Sequence, residues 1–233
     1  MQKVTYSERL LRGGLGVIAW QRLCRFRKAA EEIRAQLHTA RCSTLLDIGA
    51  ADGIGLPFLK PLAKRVVSVN YYENHTREFR AAYPNEEVVT ADVRSLSFED
   101  GEFDIVVSFE TLHFLPSWED RAQAMKEISR VLRKNGLCVF SVAIETGYPA
   151  IMKYFARALT GNNLHGMTLR LAFLHWLGPP ERIEMLDKGK QVGFNVRRFV
   201  RQAGDIFEIV KTRSIPLPIV CPMNLLVVAR KRK

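Results

Sequence analysis

Long apolar runs are absent from this 233-residue chain, and none reaches the roughly 18 residues that a membrane span requires. Cysteine is scarce. Cys24, Cys42, Cys138 and Cys221 are scattered with no Cys-x-x-Cys pair, which argues against both a disulfide framework and a zinc site. No metal is expected, and a reduced, cytoplasmic compartment is. The first residues hold no clean secretory signal, because Arg9 and Arg12 interrupt their apolar part. Internal repeats and low-complexity tracts are missing too. The length suits one ordinary domain with modest additions and a substantial core.

Acid is what the flanks of the chain lack. The net charge is +11. Residues 1–30 hold seven Lys or Arg against Glu8 alone, and residues 181–233 hold twelve basic against five acidic residues. Residues 151–180 carry three basic residues and no acid. The middle, 31–150, has thirteen basic and eighteen acidic residues and is the acidic part. Basic flanks suit an anionic partner: a membrane surface, a nucleic acid or an acidic substrate. Plain solubility is the other reading.

The chain is organised around residues 44–55, Thr-Leu-Leu-Asp-Ile-Gly-Ala-Ala-Asp-Gly-Ile-Gly. Thr44 to Ile48 reads as a buried strand, and a helical pattern resumes through Leu56, Phe58, Leu59 and Leu62. A strand, a glycine turn and a helix open the nucleotide site of a parallel α/β sheet. Gly49 can take positive φ and let a ligand approach bare backbone. Ala51 is small enough not to block it, and Gly53 lets the helix start close to the strand. Asp47 sets a carboxylate at the strand tip, where it can hold an amino group directly or through water. A phosphate there would be repelled by Asp47 and Asp52; a cationic amine would not.

This segment resembles the first motif of class I S-adenosylmethionine-dependent methyltransferases: acid, any residue, Gly, any, Gly or Ala, any, Gly. Dinucleotide-binding dehydrogenases share the glycine rhythm, but with the longer G-x-G-x-x-G spacing and usually without the preceding acid. The resemblance continues in order through residue 143. Arg65–Asn70 reads as the second strand, and Asn70 stands where the family usually has an acid for the ribose hydroxyls. An uncharged amide would grip ribose more weakly, Glu73 can compensate or simply start the helix Glu73–Ala82, and Tyr71 can cover the adenine. Glu87–Ala91 reads as the third strand. The resemblance implies that Asp92 accepts the adenine amino group while the amide of Val93 meets a ring nitrogen; a loop cap is the plainer role for Asp92.

Phe103-Asp-Ile-Val-Val-Ser108 matches the fourth strand of this superfamily, and EISRVLRKNGLCVFSV matches the helix, turn and fifth strand that follow. A helix is expected over Glu119–Lys134, closed by Asn135-Gly136, with Leu137–Val142 as the strand. The loop Phe109-Glu110-Thr111-Leu112-His113-Phe114 resembles the small-molecule and lipid branch of the family, often called type 11. It lacks the Asn/Asp-Pro-Pro-aromatic signature of exocyclic base methylation and the Pro-Cys of pyrimidine carbon-5 enzymes. His113 is the acid–base candidate, because imidazole titrates near neutrality, with packing as the alternative. Phe109 and Glu110 are counted with the cofactor site, where Glu110 can hold the methionine amino group.

Residues 6–38 read as helical, broken near Gly13, Gly14 and Gly16, with Trp20, Arg22, Arg25, Arg27 and Lys28 making a basic amphipathic segment. It can cap the site, lie on an anionic bilayer, or both. The acid-free apolar stretch at about 144–192 is expected as a substrate lid, with core packing or a homodimer surface as alternatives. Phe207–Thr212 and Met223–Ala229 read as strands six and seven, the last antiparallel by resemblance, and Arg230–Lys233 as a frayed basic tail.

The expected architecture is therefore α/β: a Rossmann-like, seven-stranded class I methyltransferase sheet with flanking helices. Residues 1–40 form a helical extension, and residues 41–233 form the domain carrying the lid. The resemblance implies S-adenosyl-L-methionine as cofactor, S-adenosyl-L-homocysteine as product, and a small-molecule or lipid-like acceptor. A peripheral position on the inner face of the membrane is compatible with this. An RNA methyltransferase and a non-catalytic adenosylmethionine-binding protein, the latter suggested by Asn70, stay open.

Overall fold

In the computed structural model, residues 16–37, 39–159, 168–177, 194–217 and 221–232 are described. The first helical piece expected before Gly16 lies outside them. Helix α1 (Gly16–Gln36) precedes β1 (Cys42–Ile48), the one-turn α2 (Leu56–Leu59) and β2 (Ala63–Asn70). Then come α3 (Glu73–Ala82), β3 (Glu87–Thr90), β4 (Phe103–Phe109), α4 (Trp118–Val131) and β5 (Leu132–Ala143). After β5 follow α5 (Tyr148–Leu159), α6 (Leu169–Leu177), α7 (Val196–Ile206), β6 (Phe207–Leu217) and β7 (Cys221–Lys231). The strands form one sheet in the order β3-β2-β1-β4-β5-β7-β6. β1 to β5 run parallel, and β7 is antiparallel to both neighbours.

Both faces of the sheet are covered, so the central strands are largely apolar rather than alternating. Every residue of β4 is buried. On one face Leu46, Val106 and Phe140 meet Met125 and Ile128 of α4 and Phe199 of α7. On the other, Leu45, Ile105 and Val107 meet Phe26, Ala29 and Ile33 of α1. The apolar side of α1 between Phe26 and Ile33 thus packs on the sheet, leaving that stretch none to offer a bilayer. Its buried Glu32 accepts from Lys211 Nζ at 2.8 and 2.9 Å and from Arg213 at 3.2 Å. Burial pushes the Glu32 carboxyl up, but hydrogen bonds from Lys211 and Arg213 outweigh it and hold it below its ordinary range.

Several expected boundaries move, each for a local reason. The helix after the glycine turn is one turn long and passes into a 3-10 turn at Lys60–Leu62. Pro61 has no N–H for the carbonyl of Pro57, so the helix cannot continue. α4 stops at Val131 rather than Lys134, because the fully buried Leu132 already pairs with Phe103 in the sheet. The register then jumps to Ile105 opposite Leu137, so Arg133–Gly136 bulge out with Asn135 at φ +59°. Asn135-Gly136 is a bulge, not a helix cap. The C-terminal basic residues are not a frayed tail through Lys231: Arg230 donates to Gln36 Oε1 at 3.0 Å, and Lys231 Nζ donates to Leu132 O at 2.7 Å. Parts of the expected insert, 160–167 and 178–193, lie outside the described residues. Among the described residues no helix is long and apolar enough to cross a membrane.

Replacing Glu32 with Gln leaves Lys211 and Arg213 facing an uncharged amide. It should destabilise the fold by about 1–2 kcal/mol, the modest figure reflecting half-exposed partners. Chemical denaturation at neutral pH checks this. Because the Glu32 carboxyl is held low, its contribution is present above the usual carboxylate range and lost in acid, so the difference between the two proteins should shrink as pH falls below that range.

Candidate active site

A cavity of about 620 Å³ opens at the C-terminal ends of β1, β2 and β4. Strand order reverses between β1 and β4, and the connections leaving these two strands diverge, which is where an open α/β sheet leaves a crevice. Asp47 in β1, paired opposite Val107 of β4, contributes a carboxylate to the wall. It forms no ion pair with any described residue. Burial alone pushes its pKa up to about 7. A carboxylate left in this state is a site for a cation.

The turn after β1 is built from three residues in the left-handed region, Gly49 at φ +82°, Ala51 at +53° and Gly53 at +88°. The reasons are internal. A Cβ on Gly49 would lie 2.0 Å from Thr111 Oγ1, and one on Gly53 would lie 2.5 Å from the Tyr83 ring. Bare backbone at Gly49 therefore admits Thr111 as much as any ligand. The buried Asn70 closes the turn: its Oδ1 accepts from Ala51 N at 2.7 Å and its Nδ2 donates to Ala51 O at 2.8 Å. Asn70 also lines the cavity, so the side chain expected at the ribose has a structural task in the turn as well. A carboxylate could accept from that peptide but could not donate to it. The amide is the side chain that does both.

The adenine-side residues hold a second arrangement. Asp92 and Val93 both line the cavity. The Asp92 carboxylate receives Arg94 Nη2 at 2.6 Å and Arg94 Nε at 3.0 Å, and Arg94 Nη1 reaches Asp120 at 2.6 Å. Hydrogen bonds from the Arg94 side chain hold Asp92 below its usual carboxylate range. Tyr71, 60 % exposed, and Tyr72 stand edge to face at 5.0 Å on the wall after β2. Glu110, at φ +53°, also lines the cavity; its Oε1 accepts from Ser141 Oγ at 3.1 Å and Asn224 Nδ2 at 2.6 Å. That carboxylate is tied to β5 and β7. A strained non-glycine backbone at a cavity wall is a common mark of a functional turn.

His113 lies behind the cavity wall. It is fully buried, does not itself line the cavity, and its ring lies 4.3 Å from Phe114 and 5.7 Å from Phe194. Its Nε2 lies 4.0 Å from Glu110 Oε2, on a residue that does line the cavity. Arg121 beneath it, fully buried, donates to His113 O at 3.1 Å and Leu115 O at 2.8 Å and fixes the same loop.

Two residues of α1, Arg25 and Phe26, complete the wall, and the Phe26 ring meets Phe109 at 5.0 Å. The extension therefore caps the site. Arg25 Nε is buried without a hydrogen-bond partner. One cavity thus holds a partnerless carboxylate and a buried guanidinium nitrogen, a combination that suits an amino-acid zwitterion. Sequence reading had counted Arg25 and Phe26 only as parts of an amphipathic run, and had passed over Thr111. None of the described residues of the insert lines the cavity, and 160–167 and 178–193 of the expected lid lie outside the described residues.

These features are those of a class I methyltransferase fold with a crevice at its switch point. The family model described as "Methyltransferase domain" matches residues 46–140. Over 103 residues, 43 % of this chain and 36 % of the relative, the sequence is 34 % identical to a "Probable S-adenosylmethionine-dependent methyltransferase" of Mycobacterium tuberculosis. A similarly named protein of Mycolicibacterium smegmatis is 31 % identical over 112 residues, 47 % of this chain and 42 % of the relative. The chain matches well under half the length of these relatives. Among solved structures, the N-methyltransferase NodS of Bradyrhizobium japonicum with S-adenosyl-L-homocysteine superposes with TM-score 0.59 at 15 % identity, covering 89 % of this chain and 87 % of that one. The CurJ carbon methyltransferase superposes with TM-score 0.62 at 14 % identity, covering 96 % of this chain and 60 % of that one. At these identities the likeness is one of fold.

The Asn70 clamp makes a direct prediction. Asn70→Asp restores the residue type usual in the family, yet it should loosen the turn and cost about 1–3 kcal/mol, because Ala51 O loses its donor and faces a charge. Denaturation together with calorimetry of S-adenosyl-L-homocysteine checks it. The expected result is lower stability with no gain in affinity.

Proposed function

We propose that this protein transfers the methyl group of S-adenosyl-L-methionine to a small-molecule or lipid-like acceptor, releasing S-adenosyl-L-homocysteine. The observation that carries the reading is Asp47, a buried carboxylate in the crevice with no cationic partner among the described residues. The ammonium group of an adenosyl amino acid supplies the missing charge, while a dinucleotide phosphate would be repelled. Asp92, oriented by Arg94, keeps acceptor positions beyond those Arg94 uses, enough for one exocyclic amine. The Asn70 departure, which suggested a non-catalytic binding protein, has its reason in the turn.

The cofactor brings an activated methyl and its own leaving group, so the chemistry asked of the chain is positioning and exclusion of water. Asp47, the Gly49–Gly53 turn and Asp92 hold one partner. Phe26, Phe109, Phe114, Leu115 and Pro116 give the cavity an apolar wall for the other. Such a wall suits an acceptor with an apolar body. With His113 behind the cavity wall, an acceptor that needs no strong protein base is favoured.

The pH dependence follows from Asp47. Its folded pKa lies above that of the unfolded chain, so its charged form is a cost to the ligand-free fold that grows as pH rises through about 7. Ligand binding needs that charged form. Calorimetry from pH 6 to 8 should therefore show affinity for S-adenosyl-L-homocysteine rising with pH. Asp47→Asn should weaken binding by about tenfold or more at pH 8, flatten the pH profile, and raise the melting temperature of the ligand-free protein. Labelled S-adenosyl-L-methionine incubated with host extract should deliver label to the lipid or small-molecule fraction. Binding of a nicotinamide dinucleotide instead, or label in RNA, would overturn the reading.

A further inference from the structure

Among the described residues, 148–159 and 168–177 carry exposed apolar side chains that the site leaves unused. α5 and α6 pack against each other as a helical hairpin. Its base is fastened to the domain: Gly147 N donates to His175 O at 2.9 Å, and His175 Nδ1 lies 2.7 Å from Glu145 O, with both His175 and Glu145 buried. Ala150 is buried as well. The other side of the hairpin turns outward. Leu177 is 72 % exposed, Phe155 50 % and Trp176 44 %, with Leu169 and Phe173 also exposed. Phe173 and Trp176 lie 5.8 Å apart, ring to ring, so the outward side chains form a patch rather than scattered singles.

Three observations say what covers this patch. No described residue of the hairpin lines the cofactor cavity, so these side chains are not folded over it. In composition the stretch 151–180 holds three Lys or Arg and no acid, a charge that complements an anionic surface and repels a second copy of itself. Aromatic and aliphatic groups beside basic ones are what the headgroup region of a bilayer accepts. Position adds to this. β5 runs parallel to β4 and β1, so Ala143 leaves the sheet at the edge where Ile48 and Phe109 form the cavity.

We infer that the α5–α6 hairpin is a docking surface for an anionic phospholipid bilayer, seated in its interface and holding the cavity edge of the sheet toward the lipid. This rests on the apolar-acceptor reading above and adds where such an acceptor would be met. Since no described helix can span the bilayer, attachment is peripheral and salt-sensitive.

The test is co-sedimentation of the full chain with vesicles of phosphatidylcholine alone or with about 30 % phosphatidylglycerol. The protein should pellet with the anionic vesicles only, and should be released when salt rises from about 0.05 to 0.5 M. The triple variant Phe155→Ser, Trp176→Ser, Leu177→Ser should bind at least about tenfold more weakly. Calorimetry of S-adenosyl-L-homocysteine on the same samples reports folding and the cofactor site separately, and its affinity should not change. In the unmodified protein, brominated lipid should quench tryptophan emission, and Trp176→Phe should remove that quenching. Equal pelleting of wild type and triple variant, or no pelleting at all, overturns the inference. So does a doubled sedimenting mass that the triple variant abolishes without any vesicle binding, which would assign the patch to a second copy.

Discussion

A carboxylate taken out of water is costly unless something positive meets it, and the fold places one, Asp47, at the tip of its first strand with no ion-pair partner among the described residues. The position is not incidental. β1 is central, buried from Leu45 to Ile48, and has neighbours on both sides, with six registered pairs to β2 and four to β4. The carboxylate is therefore held where the two halves of the sheet diverge. Its charge is satisfied only by what enters the crevice.

Around it the turn is held by interlocking rather than by glycine freedom alone. Asn70 grips both polar atoms of the Ala51 peptide, Thr111 fills the space a side chain at Gly49 would take, and Tyr83 does the same at Gly53. Each holding residue comes from a different segment, the end of β2, the loop after β4 and the end of α3. A ligand in the cavity is thus sensed by three strand ends and by α1, whose Arg25 and Phe26 close the wall. Glu110 extends the same coupling to β5 and β7 through Ser141 and Asn224.

Much of this was legible from residues. The β1 segment, the helix Glu73–Ala82 and the antiparallel last strand could be read, because buried parallel strands are continuous apolar runs and the glycine turn has a fixed rhythm. Asp47, Gly49, Ala51, Asn70, Tyr71, Asp92, Val93, Phe109 and Glu110 do line one cavity, while Gly53 shapes the turn behind it. What escaped reading depends on partners distant in sequence. The task of Asn70 in the turn shows only through its contact with Ala51, 19 positions away. The burial of His113 is set by Phe114 and by Phe194, which belongs to another layer. The hairpin resembled a lid by composition, and composition does not say which side of a helix faces the cavity. Helix ends at Pro61 and Leu132 moved because proline chemistry and strand pairing overrode periodicity.

The central claim is that Asp47 is a buried carboxylate waiting for a cation. Carbon-13 NMR of the Asp47 carboxyl, titrated with and without S-adenosyl-L-homocysteine, reads it directly. The account predicts a pKa near 7 in the free protein, falling by at least about two units when the ligand's ammonium group arrives. An ordinary carboxylate value in the free protein, or one that the ligand leaves unmoved, would contradict it.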